Sequence, residues 1–516
     1  MRSLCLLLLA LGWTAGELPP PERSYKILMV LPVSSISHRN VFLPLAKALA
    51  ERGHKIEMLS NTDKPVNQTG IREISHNLPE MRISGMNLFD TRKIRDGGMS
   101  FFVELLPKIA QNLYHLPQVK ELYSRRKEFD LVILDHMYNE VAYPFAHELP
   151  FMTIAMPGMD YRQSAVLGNV LNPAYVPNFF QPMSLDTVFK RLQNIFLHIF
   201  PAIYWRLWQI VPSVQKELSA QLPDLPPLLD IERNQSLTLL NSHFSMDMPV
   251  PLLPSQIEVG GLHCRPAKPL PEDIKSWLDG AGPEGAIYFS LGSIARGDTM
   301  PSKYRDMLVE AFKRLNHRIL WKFERDLKGV SDNVMIKEWL PQQDILAHPN
   351  VKLFITHGGL LSLQESCYHG KPLLALPIFG DQEKNAIRAK SAGLGLWLVW
   401  EELTVDKIVE LVREIIDNPR YSETVASVSR CLKDQLNHPL ERAVFWTEYV
   451  VRHKGAPRLR SPGASLSWVE YLLLDVLALL FLIVVTVLLV IRWTVKKILR
   501  VVFTKSKTKN VKEKNQ

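Results

Sequence analysis

Cysteine is scarce in this sequence, which has four of them among 516 residues. Cys5 lies in an apolar segment at the amino terminus, and Cys264, Cys367 and Cys431 remain, an odd number without paired spacing. Disulfide-rich secreted domains carry an even set of closely spaced cysteines, and structural zinc sites carry paired Cys or His ligands. The sequence therefore excludes a disulfide scaffold and a zinc site of that kind.

Two further signatures are missing. The dinucleotide fingerprint, GxGxxG between a strand and a helix, does not occur: the one match to its letters, GAGPEG at 280–285, comes directly before the strand-like run AIYFS, which argues against a nicotinamide-dependent oxidoreductase. Acidic residues do not cluster as a metal clamp would require, so we expect no bound metal. The charge of a phosphate ligand would then be met by backbone amides, a helix N-terminus and histidine.

The central part of the chain has no excess of basic charge. The net charge is +9, and the last segment, 492–516, alone holds nine Lys or Arg residues and one Glu. A nucleic-acid-binding protein carries its basic residues on its folded surface. We therefore expect no nucleic-acid partner.

Long apolar runs mark both ends. Residues 1–16 combine Arg2, a short leucine-rich run and small residues, the pattern of a cleaved secretory signal. Residues 471–491 contain one charge, Asp475, and are long enough to cross a bilayer as a helix. The basic segment 492–516 predicts a cytosolic tail, and hence a single-pass type I protein with a lumenal body.

The tail ends in KEKNQ, where Lys512 and Lys514 resemble a dilysine-type retrieval signal for the endoplasmic reticulum. The alternative is a generic basic tail that contacts anionic membrane lipid. Both interpretations fit an endoplasmic reticulum membrane location, and the two functions can coexist.

Strand-like and helix-like patterns alternate in two blocks between these ends, around runs such as YKILMVLPV, FDLVILD, AIYFSLGS and VKLFITHGG. Such alternation predicts parallel, doubly wound sheets, and the proline-rich stretch 249–283 predicts a linker between them. The predicted organisation is a signal peptide (1–16), an N-terminal domain (17–255), a linker (256–285), a C-terminal domain with a return helix (286–465), a transmembrane helix (471–491) and a cytosolic tail (492–516).

One apolar and aromatic segment, 173–214, interrupts the alternation of the first block. It includes NIFLHIFPAIYWRLWQIV. Three interpretations remain open: a helical cap over a pocket, a packed helix of the core, and a helix that lies on the membrane surface.

Two polar residues follow buried strands in the first block. His38 follows the first strand, and Asp135 closes FDLVILD. Because the carboxyl ends of parallel strands share one edge, the two side chains are expected to approach each other. A carboxylate that accepts the proton of one imidazole nitrogen fixes the tautomer and stabilises imidazolium. Taken alone, each residue fits a helix cap or the surface equally well.

The strand ends of the second block suit a phosphate. FITHGG places His357, Gly358 and Gly359 between a strand and a helix, where glycine lets the backbone approach a ligand and the helix N-terminus favours an anion. Ser293 follows another strand, in FSLGS, and offers a second phosphate contact.

Other strand-end residues of this block suit a nucleotide and a sugar. Trp339 can stack on a flat base, and Gln342 can bond the amide edge of that base. Glu365 can take two ribose hydroxyls, and Asp381 with Gln382 can hold sugar hydroxyls. Singly, each fits a cap or a surface residue, and their shared position at strand ends favours a site.

The run from Trp339 to Ala386, WLPQQDILAHPNVKLFITHGGLLSLQESCYHGKPLLALPIFGDQEKNA, resembles the signature of the UDP-glycosyltransferase family, and more narrowly the membrane-bound animal UDP-glucuronosyltransferases. SSISHRNVFLPLAKALAERGH, FDLVILD, VGGLHCRPAKPLP, IYFSLGS and RAVFWTEYVVRHKGA extend the resemblance. It implies an α/β GT-B fold, with two Rossmann-like domains facing across a cleft and one C-terminal transmembrane helix. The first domain would take the acceptor and the second the UDP-sugar.

The resemblance also implies roles for these residues. His38 would be the general base and Asp135 its partner. The donor-site residues would divide as follows: Trp339 and Gln342 at uracil, Glu365 at ribose, Ser293 and His357 with Gly358 and Gly359 at the diphosphate, and Asp381 with Gln382 at the sugar. The reaction would invert the anomeric centre and need neither metal nor cofactor, since the UDP-sugar is a co-substrate.

Several alternatives stay open. The donor can be UDP-glucuronate or UDP-glucose, the acceptor is expected to be small and lipophilic, and association between copies of the chain is undecided. Membrane lipid is an expected partner. The alternative functions are a non-catalytic sugar-nucleotide-binding membrane protein and a lipid glycosyltransferase. Leu360 and Leu361 depart from the smaller or more polar residues expected after THGG.

Overall fold

The computed structural model describes residues 18–33, 35–79, 88–92, 99–137, 139–156, 158, 161–178, 184–293 and 295–513. The predicted signal peptide, 1–16, and Lys514 lie outside these residues. The chain divides after Arg460 into two compact units, which are described separately.

The first half of the larger unit is built on an eight-stranded sheet. Its strands are β1 (Lys26–Val30), β2 (Lys55–Ser60), β3 (Asn67–Gln68), β4 (Ile71–Ser75), β5 (Leu131–Asp135), β6 (Phe151–Ala155), β7 (Thr238–Leu240) and β8 (Gln256–Glu258). The order is β3-β4-β2-β1-β5-β6-β7-β8, and all neighbours are parallel except β3 and β4. The parallel strands therefore end at one edge.

Helices cover both faces of this sheet. They are α1 (Ile36–Glu51), α2 (Leu88–Thr91), α3 (Met99–Leu113), α4 (Pro117–Ser124), α5 (Tyr143–Ala146), α6 (Tyr161–Val166), α7 (Val188–Ile203), α8 (Ile210–Gln221) and α9 (Leu228–Glu232). Alternate residues of β1 enter opposite cores, with Leu28 and Val30 in one and Ile27 and Met29 in the other. Burial on both faces explains the continuous apolar run of this strand.

A second sheet of six strands forms the other half. Its strands are β9 (Ala286–Ser290), β10 (Arg318–Lys322), β11 (Val334–Lys337), β12 (Val351–Thr356), β13 (Leu373–Ala375) and β14 (Gly395–Trp397). The order is β11-β10-β9-β12-β13-β14, with every neighbouring pair parallel. The order reverses beside β9, so β9 and β12 bound the switch point where ligands bind in such sheets.

The helices of this half are α10 (Glu272–Asp279), α11 (Ser302–Lys313), α12 (Gln342–Leu346), α13 (Leu360–Tyr368), α14 (Gln382–Ser391), α15 (Val405–Asp417), α16 (Pro419–Lys433) and α17 (Pro439–Arg452). Short 3₁₀ turns occupy Arg126–Glu128, Asn139–Ala142, Gly297–Thr299, Trp400–Glu402 and Pro457–Leu459, and a π-helical turn occupies Tyr204–Trp208. Phe289 and Trp321 pack on one face of the sheet, and Tyr288 and Leu320 on the other.

Helix α17 returns to the first half of the unit. Ala443, Val444 and Val450 enter the same core as α1. Glu448 bonds Arg52 Nε at 2.5 Å and His54 Nε2 at 3.1 Å. Burial raises the pKa of Glu448, but the bonds from His54 and Arg52 outweigh it and lower the pKa to about 2. The end of the second half is thereby fixed onto the first.

The smaller unit is helical. A 3₁₀ turn at Pro462–Ser465 is followed by α18 (Trp468–Tyr471), which Ser467 and Glu470 begin with a capping box, and then by α19 (Leu474–Glu513). Among the described residues, one helix is long and apolar enough to cross a membrane, over Leu474–Val501, with a mean hydropathy of 3.2. This agrees with the apolar helix predicted over 471–491.

Candidate active site

The first part of the site is the pair His38 and Asp135. His38 lies in the first turn of α1, which Ser35 caps by accepting the backbone N–H of His38 at 3.5 Å. Asp135 is the last residue of β5, which pairs in parallel with β1. Because both strands end at the same edge, Asp135 Oδ2 hydrogen-bonds to Nδ1 of His38. The structure thus brings these two predicted residues into contact.

The carboxylate of Asp135 is held from two sides. Its Oδ1 accepts the backbone N–H of Met137 at 3.0 Å while Oδ2 bonds the imidazole, and the side chain is almost fully buried. The His38 ring is 18% exposed. With Nδ1 occupied by a carboxylate, Nε2 is the ring nitrogen available to accept a proton.

The charge around His38 favours its protonated form. Burial lowers the pKa of His38, but Asp135 and, from the second half of the chain, Asp381 act in the opposite direction and leave the pKa raised. Burial favours the neutral form of Asp381 and therefore raises its pKa, and Asn385, Lys384 and His38 partly oppose this effect. The two strand-end edges therefore lie close enough for their charges to interact.

His357 forms the centre of the second part. It follows β12, and the turn Gly358–Gly359 leads into α13, with Gly359 as the N-cap. A Cβ on Gly359 would lie 2.5 Å from His357 Nε2, and a Cβ on Gly292 would lie 2.6 Å from His357 Cε1. Two glycines thus make room for one imidazole between two strand-end loops. Ser293 follows Gly292 in the loop after β9 and is partly buried.

The electrostatic surroundings of His357 differ from those of His38 and shift its pKa in the opposite direction. Burial lowers its pKa to about 4, with a further contribution from the positive charge of Lys322. The ring is therefore neutral at physiological pH and can donate one N–H to a ligand. It lies beside the N-terminus of α13, where backbone N–H groups favour an anion.

Gln342 and Glu365 are in direct contact. Gln342 Nε2 donates to Glu365 Oε2 at 2.6 Å, and Gln342 Oε1 accepts from the Tyr288 hydroxyl at 3.2 Å. Burial raises the pKa of Glu365 to about 7, against the opposing bond from Gln342. The expected uracil and ribose contacts thus belong to one bonded cluster, and the protonation of its acid changes near neutral pH.

Trp339 lies after β11, and the residue is 66% exposed. Lys322, the last residue of β10, places Nζ 5.8 Å from the centre of that ring and 2.6 Å from Glu324 Oε1. An exposed indole at a strand end provides a face on which a flat base can stack. Lys322 links this platform electrostatically to His357.

Asp381 ends the loop after β13, and Gln382 begins α14. Gln382 Oε1 accepts the backbone N–H groups of Ile378 and Phe379 at 2.8 and 2.9 Å, so its oxygen shapes the loop. Asn385 donates to Asp381 Oδ2 at 2.7 Å and to the carbonyl of Gly358 at 3.0 Å. Asn385 therefore joins the loop of Asp381 to the glycine turn after His357.

Other contacts hold the two halves of the larger unit together. Leu361, one of the two unusual leucines after THGG, packs against the core of the first half. Gln364 Nε2 donates to the carbonyl of Asn241 at 2.9 Å, and Arg388 pairs with Asp247. Leu361 thus has a packing role between the domains, which explains an apolar residue at this position.

Two residues that the sequence analysis missed belong beside the site. Lys322 ends β10 at the same edge as the predicted residues, so the strand-end rule that selected the others also applied to it. Asn385 lies four residues after Asp381, which places both on one side of α14. The strand-end position of Lys322 and the spacing of Asn385 from Asp381 are both visible in the sequence. Only the contacts in the structure distinguish these two residues from ordinary surface residues.

No group of three or more His, Cys, Asp or Glu side chains that could hold a metal ion occurs in the part of the chain that the structure describes. The described site combines an imidazole oriented by Asp135, a neutral imidazole at a helix N-terminus, an exposed indole and two further acids, Glu365 and Asp381. This set can accept a proton on one side of the cleft and stabilise an anion on the other.

Comparison with known proteins identifies the family. The family described as UDP-glucoronosyl and UDP-glucosyl transferase matches residues 110–510. UDP-glycosyltransferase UGT5 of Dactylopius coccus is 35% identical over 92% of this chain and 93% of its own length. UDP-glucosyltransferase 2 of the same organism is 32% identical over 98% of this chain and 99% of its own length.

A solved structure shares the fold. The glycosyltransferase of kitacinnamycin is 18% identical, covers 83% of this chain and 99% of its own, and superposes with a TM-score of 0.57. The two parallel sheets, the paired strand-end edges and the family match agree with one another. The chain therefore belongs to the UDP-glucuronosyl and UDP-glucosyl transferase family and is a UDP-glycosyltransferase of the GT-B fold.

Proposed function

We propose that the protein transfers a glucosyl group from UDP-glucose to a hydroxyl group of a small lipophilic acceptor, with inversion at the anomeric carbon. The observation that carries the proposal is the His38–Asp135 pair, whose imidazole interacts electrostatically with Asp381 across the cleft. A base on one domain and sugar-binding groups on the other suit a direct displacement, in which nucleophile and leaving group occupy opposite faces.

The acceptor step uses His38. A hydroxyl is a weak nucleophile until its proton is removed, and Nε2 of His38 takes that proton as the acceptor oxygen bonds to the anomeric carbon. Asp135 keeps Nδ1 protonated and stabilises the imidazolium that forms. The proton leaves the acceptor, and the electrons of the broken glycosyl bond go to the UDP oxygen.

The leaving diphosphate gathers negative charge in this step. His357, Ser293 and the backbone N–H groups at Gly358 and Gly359 are the proposed donors to it. Since these groups are in place before the reaction, they stabilise the charge without rearrangement. We expect turnover to need no added metal and to persist in EDTA.

The remaining donor residues hold the nucleotide and the sugar. Trp339 stacks on uracil and Gln342 bonds its amide edge, while Glu365 accepts from the ribose hydroxyls. When the nucleotide binds, the hydrogen bond from Gln342 to Glu365 would weaken as Gln342 forms a bond to the base. Asp381 and Gln382 hold the hexose hydroxyls.

Charge pairing favours glucose over glucuronate. The basic side chains that the described structure places beside site residues interact with acids: Arg39 with Glu73 at 2.6 Å, Lys322 with Glu324 at 2.6 Å, and Lys384 with Asp381 through space. A glucuronate carboxylate would have to displace one of these acids. A neutral hexose avoids that cost, and one relative is named a UDP-glucosyltransferase.

Location follows from the apolar helix and the basic tail. We propose that Leu474–Val501 anchors the chain in the endoplasmic reticulum membrane as a single-pass type I protein, with the catalytic domains in the lumen. Anchoring suits acceptors that partition into the bilayer.

A donor screen on microsomes that express the full chain tests the proposal, with a phenol and a steroid as acceptors. UDP-glucose is expected to give turnover about tenfold above UDP-glucuronate and UDP-galactose, a difference of roughly 1.4 kcal/mol. Higher turnover with UDP-glucuronate would reject the donor assignment. UDP binding without turnover of any sugar would favour the non-catalytic alternative, and turnover with lipid acceptors alone would favour a lipid glycosyltransferase.

A further inference from the structure

The two carboxylate oxygens of Glu365 have different neighbours. Gln342 Nε2 donates to Oε2 at 2.6 Å, whereas Oε1 lies 3.6 Å from Nε2 of His263. Both side chains of the second pair are largely buried, with 4% of His263 and 12% of Glu365 exposed. His263 is therefore placed beside the acid proposed to hold the ribose, at the second oxygen of that acid.

His263 belongs to the segment that links the two halves of the larger unit, after β8 and before α10. Gly261 has a φ of +78°, which glycine adopts without strain, and its carbonyl accepts the N–H of Cys264 at 2.8 Å. The N–H of Gly261 donates to Oδ1 of Asn241, the residue after β7, at 3.2 Å. This tight turn fixes the backbone on both sides of His263.

Bonds to helix α12 hold the same linker against the donor side of the site. Gln343 Nε2 donates to the carbonyl of His263 at 3.1 Å, and Gln343 Oε1 accepts the N–H of Arg265 at 2.9 Å. Arg265 also pairs with Asp344 at 2.6 Å. Since α12 begins with Gln342, the backbone of His263 is fixed to the helix that carries the proposed base contact.

The imidazole of His263 is uncharged at physiological pH. Burial lowers its pKa to about 4, and a bond to the backbone of Leu361, in the first turn of α13, only partly opposes this effect. A neutral imidazole has one N–H donor and one acceptor nitrogen. Nε2 also lies 3.8 Å from Cys264 Sγ, but a thiol is a weak hydrogen-bonding group. The carboxylate of Glu365 is therefore the stronger partner of Nε2.

A ribose ligand needs the ionised form of Glu365, because a carboxylate can accept from two hydroxyls and a protonated acid has lost acceptor capacity. Burial raises the pKa of Glu365 to about 7, Arg265 acts to lower it, and Asp344 acts to raise it. Burial also raises the pKa of Cys264 and of Tyr288, so these two neighbours of the acid stay uncharged. An N–H donor at Oε1 would favour the carboxylate form that the ribose needs.

We propose that His263 is a positioning residue of the donor site, which donates from Nε2 to Oε1 of Glu365 and holds the carboxylate in place for the ribose hydroxyls. The proposal rests on the proposed binding of a UDP-sugar by the second half. Shortening the 3.6 Å separation by about 0.5 Å gives a normal N–H···O hydrogen bond. This bond gains importance when the nucleotide binds, because Gln342 then turns from Glu365 to the base.

Calorimetry of UDP-glucose binding to the full chain in detergent, without acceptor, tests this role. His263→Leu replaces the imidazole by an apolar group of similar size, and His263→Gln keeps a neutral N–H donor of similar reach. At a pH of about 8, His263→Leu is expected to bind about fivefold more weakly than the native chain, and His263→Gln within about twofold of it. His317→Leu is the matched control, since His317 is also buried in the second half, and it should bind normally.

The pH dependence of binding separates positioning from packing. Loss of an N–H donor to the ionised acid raises the pKa of Glu365, so His263→Leu should lose affinity at a pH about 0.5 to 1 unit higher than the native chain. A side chain that only fills space would change the affinity by the same factor at every pH. Unchanged binding, or an equal loss at every pH, would overturn the proposal.

A further variant decides the question if His263→Leu does not fold. His263→Asn is polar and uncharged like His263→Gln but one methylene shorter, so its amide does not reach Glu365. Weaker binding of UDP-glucose by His263→Asn than by His263→Gln is expected. Equal affinities of the two variants would contradict a donor role for this side chain.

Binding is measured without turnover, so this inference and the proposed reaction can fail separately. If every His263 variant binds like a native chain that turns over UDP-glucose, the role of His263 is rejected and the proposed function stands. If binding weakens in His263→Leu and is restored in His263→Gln, but the native chain transfers no sugar, the role of His263 stands and the proposed function is rejected.

Discussion

Two histidines occupy equivalent places in the two halves of this transferase, and their surroundings give them opposite properties. His38 and His357 each lie in the loop or first turn after a parallel strand, at the edge where ligands bind. Asp135 and Asp381 raise the pKa of His38 against the effect of burial. Burial and Lys322 lower the pKa of His357 to about 4.

This difference supports the chemistry proposed for the two histidines. A proton acceptor must stabilise its protonated form, and His38 has two acids to do so. A donor to a diphosphate must keep its N–H at every working pH, which a neutral ring does. The fold supplies the place of each histidine, and the proposed roles of base and neutral donor depend on the charged neighbours of each ring.

The largest expected effect comes from removing the base. His38→Ala is expected to lower kcat about 10³-fold, because the acceptor hydroxyl loses its proton acceptor. KM for UDP-glucose should change by less than about twofold, since the proposed donor residues lie in the other domain. Steady-state kinetics with a phenol acceptor measure both. Full turnover with normal acceptor affinity would show that His38 is not the base.

Asp135→Asn weakens the base without removing it. We expect kcat to fall about 10²-fold, because the ring loses the carboxylate that orients it and stabilises imidazolium. Asp135 raises the pKa of His38, so its loss lowers that pKa. The acid limb of the kcat/KM profile should therefore move to lower pH. A limb that stays in place would mean that another group titrates there.

His357 provides the contrasting variant. His357→Ala is expected to raise KM for UDP-glucose about 10- to 30-fold, the loss of one hydrogen bond to a charged group. His357→Asn keeps a neutral N–H donor and should restore most of the affinity. If a neutral donor does not restore it while His357→Lys does, the ring acts through positive charge and the contrast with His38 fails.

Much of this site was predictable from sequence because it depends on strand ends. Parallel strands end at a common edge of the sheet. A polar residue at the end of a buried run or soon after it, such as Asp135 or His38, can therefore be assigned to that edge from the sequence alone. The alternation predicted two parallel, doubly wound sheets, and the GT-B fold was predicted from the family resemblance of the long run that begins at Trp339. These predictions rest on short apolar runs, each of which ends at polar residues.

Other features depend on packing between elements that are distant in sequence. The bond between Gln342 and Glu365 joins two helices, and the link from Asn385 to Gly358 joins two loops. Nothing local in the sequence specifies either pair. The orientation of α7 is a further case, because its apolar composition fits a cap, a core helix or a membrane helix until Asn194 is seen facing inward. Periodicity identifies a face, and only tertiary contacts show which way it points.

The smallest expected effect is the pH dependence of nucleotide binding. It tests whether Glu365 or His357 is the residue whose protonation changes near neutral pH. Burial raises the pKa of Glu365 to about 7, while the pKa of His357 is about 4. In the proposed donor site the ionised carboxylate would accept from two ribose hydroxyls, whereas its protonated form has lost acceptor capacity. The affinity for UDP-glucose, whose diphosphate diester does not titrate in this range, should therefore weaken by about threefold as pH falls from about 8 to about 6.

Calorimetry with UDP-glucose in the absence of acceptor measures the affinity and the proton exchange across this range. Since ligand hydroxyls favour the ionised acid, binding should release a fraction of a proton near neutral pH. Glu365→Gln is expected to bind more weakly at high pH and to lose the pH dependence. A pH dependence that survives in Glu365→Gln and disappears in His357→Asn would show that His357 titrates after all. The two histidines would then differ in degree only, and the neutral-donor assignment would be wrong.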